Sequence, residues 1–111
     1  MRNKTLVIAE AGGNHNGSIK NAYKLVDIAK KSGADYIKFQ TFKADTLVSK
    51  KAPKADYQKK NIKKSTHYEM IRGLELSYEM HQKIIKYCNK KKIKFLSSAF
   101  CIDSFNLLRK F

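Results

Sequence analysis

Asp35 to Gln40 reads DYIKFQ, and this short stretch decides the fold. Strand side chains alternate, so Ile37 and Phe39 share one face while Lys38 and Gln40 share the other. Just upstream, Gly33 closes a helix whose apolar positions Ile19, Ala22, Leu25, Val26 and Ala29 follow the 3.6-residue period. Ser18 is placed to cap that helix, and Lys30 and Lys31 suit the negative end of its dipole. Further upstream, Thr5 to Glu10 (TLVIAE) reads as a short buried strand, followed by a loop of turn formers from Ala11 to Gly17. Two strands joined by one helix and short loops form a βαβ unit, which is parallel and right-handed.

Downstream the pattern repeats. Thr41 to Lys64 shows neither helical nor strand period and holds the only proline, Pro53; a loop of that length is usually functional or disordered. Thr66-His67-Tyr68-Glu69 matches a capping box, and Gly73 stops that short helix. Ser77 caps a longer helix with an inner face of His81, Ile84, Ile85 and Cys88, ended by Lys90-Lys91-Lys92. Ile93 to Ser98 (IKFLSS) is a third strand, and Cys101 to Phe111 a third helix within which the sequence stops. The expected class is therefore α/β with a parallel sheet. A doubly wound nucleotide fold needs G-x-G-x-x-G after its first strand. Gly12-Gly13-Asn14-His15-Asn16-Gly17 lacks that spacing, which favours a barrel.

The 111 residues suit one domain at most. Neither a signal peptide nor a membrane span is legible, which points to a cytoplasmic protein. Cys88 and Cys101 lack any metal or redox spacing and read as reduced structural thiols. The net charge is +15, but the cations are 21 Lys and 3 Arg spread along the whole chain. Base readout favours arginine, so diffuse solvated lysine is the better account than a nucleic-acid site.

Chemistry concentrates where polar groups interrupt apolar strands. Lys38 in a strand buried on both faces is costly unless something anionic meets it. Glu10 ends the first strand on the side shared by Leu6 and Ile8, and Ser97 and Ser98 end the third. All of these fall at strand C-termini, the end where (β/α) barrels build active sites. Spacing alone leaves two readings open: a ligand site, or a Lys38–Glu10 ion pair that merely fills the barrel mouth.

Ile8 to Gly17 (IAEAGGNHNG) resembles the opening motif of the sialic acid synthase family, IAEAGxNHNG. Lys38 to Ala44 (KFQTFKA) resembles its second-strand signature, and Lys51 to Gln58 (KAPKADYQ) the loop that follows. Leu74-Glu75-Leu76-Ser77 is similar to the start of its next helix, and Phe95 to Phe100 (FLSSAF) to its third-strand FLSTPF. The resemblance runs through the chain in order. It implies the first three βα units of a (β/α)8 TIM barrel, residues 1–111 being an N-terminal fragment with no second domain. It also implies a synthase that condenses phosphoenolpyruvate with N-acetylmannosamine or a related amino-sugar aldehyde, giving a nonulosonic acid and phosphate. Carried over by motif, Glu10 is catalytic, beside the aldehyde and the reacting carbons. Lys38 and Ser98 bind phosphoenolpyruvate; Asn14, His15, Gln40 and Ser97 are candidate loop or rim residues. The complete enzyme is expected to use Mn2+ or Mg2+ held by histidines outside this chain, and to be a homodimer.

Two residues depart from the pattern: Ala99 stands where proline is expected, and Gly13 where valine or isoleucine is usual. The larger departure is length, since a (β/α)8 barrel takes about 250 residues. The isolated chain is therefore expected to be inactive, the alternatives being a non-catalytic structural partner or a basic nucleic-acid-binding module. His15 without a second histidine reads as a loop-stiffening hydrogen bonder. His67 and His81 read as ordinary helix residues, and Lys43, Lys50, Lys51 and Lys54 as solvated or substrate-guiding loop charges.

Overall fold

A computed structural model describes residues 4–47 and 67–111. Its elements are β1 (Ile8–Gly12), α1 (Ile19–Lys31), β2 (Tyr36–Thr41), α2 (Ala44–Leu47), α3 (His67–Arg72), α4 (Tyr78–Lys91), β3 (Lys94–Ala99) and α5 (Ile102–Leu108). The strands form one parallel sheet in the order β1-β2-β3. That order follows the chain without reversal, and α1 and α4 pack against each other over the sheet.

The core lies between the sheet and the two long helices. Ile37 and Phe39 from β2 meet Ala22, Val26 and Ala29 of α1 and Ile84 and Cys88 of α4, all buried. Full burial of a side chain such as Phe39 or Ile37 contributes roughly 1.5–3 kcal/mol. The helices begin where the sequence places their caps. Ser18 accepts a hydrogen bond from the Asn21 amide at 3.2 Å, and Ser77 accepts one from Met80 at 3.1 Å.

Each strand lies further along the chain than its sequence expectation, and β1 moves most, from Thr5–Glu10 to Ile8–Gly12. The reason lies at its start. Val7 gives its N–H to the Asp35 carboxylate (2.9 Å), while its carbonyl accepts from the Asp35 and Tyr36 amides, so pairing starts one residue later. The expected burial of β1 fails as well: Leu6 is 63% and Ile8 50% exposed, because no described element covers that face of the sheet. Segment 41–64 contains the short helix α2, whose first amide, Ala44 N–H, is held by Glu75 at 2.9 Å. Helix α5 stops at Leu108 rather than running on, its end tightening through Lys110-to-Leu107 and Phe111-to-Leu108 backbone bonds. Thr66, Pro53 and the lysines at 50, 51 and 54 lie outside the described residues.

Gly17 and Gly33 both hold positive φ, at 78° and 87°, but their surroundings differ. A Cβ on Gly17 would lie 2.4 Å from the Gly73 carbonyl oxygen, whereas a Cβ on Gly33 meets nothing within 4 Å. Gly33→Ala is thus expected to cost about 1 kcal/mol from backbone conformation alone. Gly17→Ala should cost more than that, up to roughly 3 kcal/mol, since the loop must also separate from Gly73. Urea unfolding of both variants checks the ranking, and equal losses would contradict it.

Candidate active site

Parallel registration decides which side chains can meet. Glu10 is in register with Lys38, Lys38 with Leu96, and Gln40 with Ser98, so the five share the uncovered face of the sheet. The Lys38 ammonium lies 3.2 Å from Glu10 Oε1, with the two side chains 34% and 50% exposed. Between Glu10 and Gly12 the β1 register slips, so that Gly12, with φ 54°, pairs with Phe39. A Cβ on Gly12 would lie 3.5 Å from Glu10 Oε2 and 3.6 Å from Gln40 Nε2. Both side chains therefore converge above this glycine, at the C-terminal end of the strands. A cation, a carboxylate, an amide and, one strand over, a hydroxyl line one strip of the open sheet face. That set can hold an anion and move a proton.

Lys38 was expected in a strand buried on both faces, and here the structure differs. One face is open, so Lys38 is half-buried and already paired.

The β1–α1 loop places the next two candidates apart. Asn14 is exposed, its amide donating to the Ala11 carbonyl at 3.1 Å. His15 turns inward and is fully buried, its ring 6.2 Å from that of Phe39. The Gly17 amide donates to His15 Nδ1 at 2.8 Å, so in the neutral ring the proton sits on Nε2. That Nε2 is buried with no hydrogen-bond partner among the described residues. His15 holds the loop from below.

Ser97 does not share the face of Lys38. It pairs in register with Phe39 and points toward the helices, where its hydroxyl lies 2.7 Å from Thr41 Oγ1. The expectation that grouped Ser97 with the rim is corrected by strand alternation: adjacent serines must face opposite sides, and only Ser98 faces the open strip. Thr41 Oγ1 also lies 2.8 Å from His81 Nε2, and His81 Nδ1 lies 2.7 Å from the Ser77 carbonyl. His81, read from sequence as an ordinary helix residue, is thus the hub of a buried polar chain. The available signal was a histidine on the apolar face of a helix, which must find partners if it is buried.

The two thiols are not alike. Burial pushes the Cys88 thiol up to about 11. Cys101, half-buried just after β3, is drawn down to about 7, chiefly by its hydrogen bond with the Ser104 hydroxyl at 3.0 Å. Among the described residues, no three His, Cys, Asp or Glu side chains gather in a way that could hold a metal ion. None of the helices in those residues is long and apolar enough to cross a membrane.

The model of the NeuB family matches residues 25–111. The chain belongs to the NeuB family. It is 52% identical over 103 residues to an N,N'-diacetyllegionaminic acid synthase of Legionella pneumophila, covering 92% of this chain and 29% of that protein. Against the synthase of the same name from Campylobacter jejuni it is 46% identical over 108 residues, 96% of this chain and 32% of that one. Among solved structures it superposes on the N-acetylneuraminic acid synthetase of Leptospira borgpetersenii with a TM-score of 0.73 at 23% identity, covering 97% of this chain and 33% of that one. At that identity the likeness is one of fold, α/β with three parallel strands. This NeuB-family chain spans about a third of the length of the relatives it matches.

Both buried imidazoles are held below the ordinary histidine value. Burial is the main cause for each; His81 adds to it at His15, while at His81 the bond to the Ser77 carbonyl opposes it and Lys43 adds to it. A base whose folded-state value is lowered binds more protons when unfolded. Its stabilising contribution is therefore complete above about pH 6.5 and is lost as pH falls from there through the folded-state values. The urea midpoint is expected to fall between pH 7 and pH 5, and His81→Gln should flatten part of that drop. A midpoint constant across this window would contradict the assignment of both rings as buried and neutral.

Proposed function

We propose that this chain supplies the phosphoenolpyruvate floor of a nonulosonic acid synthase, the opening βα units of a closed (β/α)8 barrel. The observation that carries the reading is the convergence of Glu10, Lys38 and Gln40 over Gly12 on an uncovered sheet face. The family and the names of its relatives support the same reading. Leu96, 37% exposed, and Ile8 lie on that face beside the polar strip. They are apolar groups of the kind further barrel strands would cover.

Lys38 holds the carboxylate and phosphate of phosphoenolpyruvate. Its ammonium carries three donors, so it can keep Glu10 and still bind the anion. Gln40 and Ser98 donate hydrogen bonds to the same ligand from adjacent strands. C3 of phosphoenolpyruvate attacks the sugar aldehyde carbon, forming the new C–C bond, and the aldehyde oxygen takes up a proton. Water adds at C2 and loses a proton, and the hemiketal phosphate collapses by breaking C2–O to release inorganic phosphate. Glu10, at the end of β1, is the carboxylate placed to carry one of these protons, help worth roughly 10²–10⁴-fold. A divalent metal would polarise the aldehyde in such a reaction. The described residues do not by themselves fit one, and no step is assigned to it.

On this reading turnover requires the parts of the barrel that this third of the length does not include, and the 111 residues alone do not turn over. The test joins this segment to the remaining two-thirds of a synthase and follows phosphate release from phosphoenolpyruvate with N-acetylmannosamine or a diacetamido sugar. Lys38→Ala is expected to abolish turnover and to weaken phosphoenolpyruvate binding by roughly tenfold or more, a charge-assisted hydrogen bond having been lost. Turnover undiminished in Lys38→Ala would refute the assignment.

A further inference from the structure

We infer that His81 and Thr41 are positioning residues. From the helix side of the sheet they fix the alignment of Gln40 against Ser98 on the open face. The inference rests on the reading of that face as the phosphoenolpyruvate floor.

The directions of the bonds are forced. A carbonyl only accepts, so His81 Nδ1 carries the proton shared with the Ser77 carbonyl at 2.7 Å. In the neutral ring Nε2 is then an acceptor, and Thr41 must donate its hydroxyl proton across the 2.8 Å contact. The Thr41 oxygen is left to accept from Ser97, at 2.7 Å. A one-way chain runs from Ser97 to Thr41 to His81 to the carbonyl of the residue that caps α4.

Its geometry brackets the site. Thr41 pairs in register with Ala99 and Ser97 with Phe39, so the Thr41–Ser97 bond is a diagonal across β2 and β3. The Gln40–Ser98 pair lies between them and faces the other way. The diagonal bond thus clamps the register at the pair that faces the ligand. Just beyond it, the Phe100 amide continues the ladder to the Thr41 carbonyl at 3.0 Å. Thr41 and His81 are fully buried. Phe111 stacks on the His81 ring at 6.0 Å and Phe95 meets it edge-on at 6.3 Å, so the Thr41–His81 end of the chain is shielded, while its Ser97 end is half-buried.

The direction holds only while His81 is neutral. A protonated ring would donate from Nε2, and Thr41 could no longer donate to it. Burial and, less strongly, Lys43 after β2 oppose protonation of the ring, while the hydrogen bond to the Ser77 carbonyl favours it; the net direction is downward. The other groups around it, Thr41, Ser97, Phe95 and Phe111, are neutral side chains.

The test compares Thr41→Val, which removes the hydroxyl, with Thr41→Ser, which restores it, in the chain itself. Backbone amide NMR reads Gln40 and Ser98 directly, and titration with phosphoenolpyruvate reads the site. Thr41→Val is expected to move both amide signals and raise the phosphoenolpyruvate Kd about tenfold, a modest cost for misplacing a ligand contact. Thr41→Ser should return both readouts toward wild type. The ratio of variant to wild-type Kd should shrink as pH falls and His81 protonates, the ligand's own titration cancelling in that ratio. A long-range proton–nitrogen spectrum should show His81 with its proton on Nδ1. Unmoved Gln40 and Ser98 signals in a folded Thr41→Val chain, or a proton on His81 Nε2 at neutral pH, would overturn the inference. If Thr41→Val does not fold, Ser97→Ala, which spares the Thr41–His81 bond, decides by the same amide signals. A wild-type chain that ignores phosphoenolpyruvate would count against the proposed function, while the alignment is still decided by the amides and the tautomer.

Discussion

The pairing of β2 with a parallel neighbour on each side is the constraint on which the rest of this structure depends. It fixes a period of two across three strands at once. Ile37, Phe39 and Thr41 are thereby committed to the helices, and Lys38 and Gln40 to the opposite face. A slip of one residue would exchange the two sets, burying an ammonium under α1 and α4 and exposing the largest side chain of the core. Apolar burial on one side therefore enforces the polar arrangement on the other. The site is a consequence of the core's register.

Magnitudes separate a structural role from a ligand role for the Lys38–Glu10 pair. An ion pair this exposed is worth about 0–1 kcal/mol, too little for stability to be its reason. It stands with Gln40 above Gly12 on a face with no described cover, which is the geometry the proposed ligand role uses. By contrast, the buried groups on the helix side act through geometry. Ser97, Thr41 and His81 satisfy one another, and an unmet partner there would cost roughly 1–3 kcal/mol.

The β1–α1 loop connects the two sides. Gly17 sits where only the absence of a Cβ lets the loop lie against Gly73, and its amide is held by His15 from beneath. The register slip at Gly12 turns the end of β1 so that Glu10 and Gln40 share the same space. Loop, bulge and buried imidazole together set where the strip ends.

Local pattern alone determined much of this protein. Helical period and cap residues placed α1 and α4, and alternation in DYIKFQ assigned each side chain of β2 to its face. The motifs from Ile8 to Gly17 and from Lys38 to Ala44 pointed to the family. Such features depend on neighbours a few residues apart, which a linear reading can see. What only the tertiary structure decided depends on partners far along the chain. Val7 bonding to Asp35 delayed β1, and register between strands sent Ser97 away from Ser98 and toward Thr41. His81 gained its role from Thr41, forty residues earlier, and no period in α4 could announce it. Hydrogen bonds and registers of that kind exist only once the strands lie side by side.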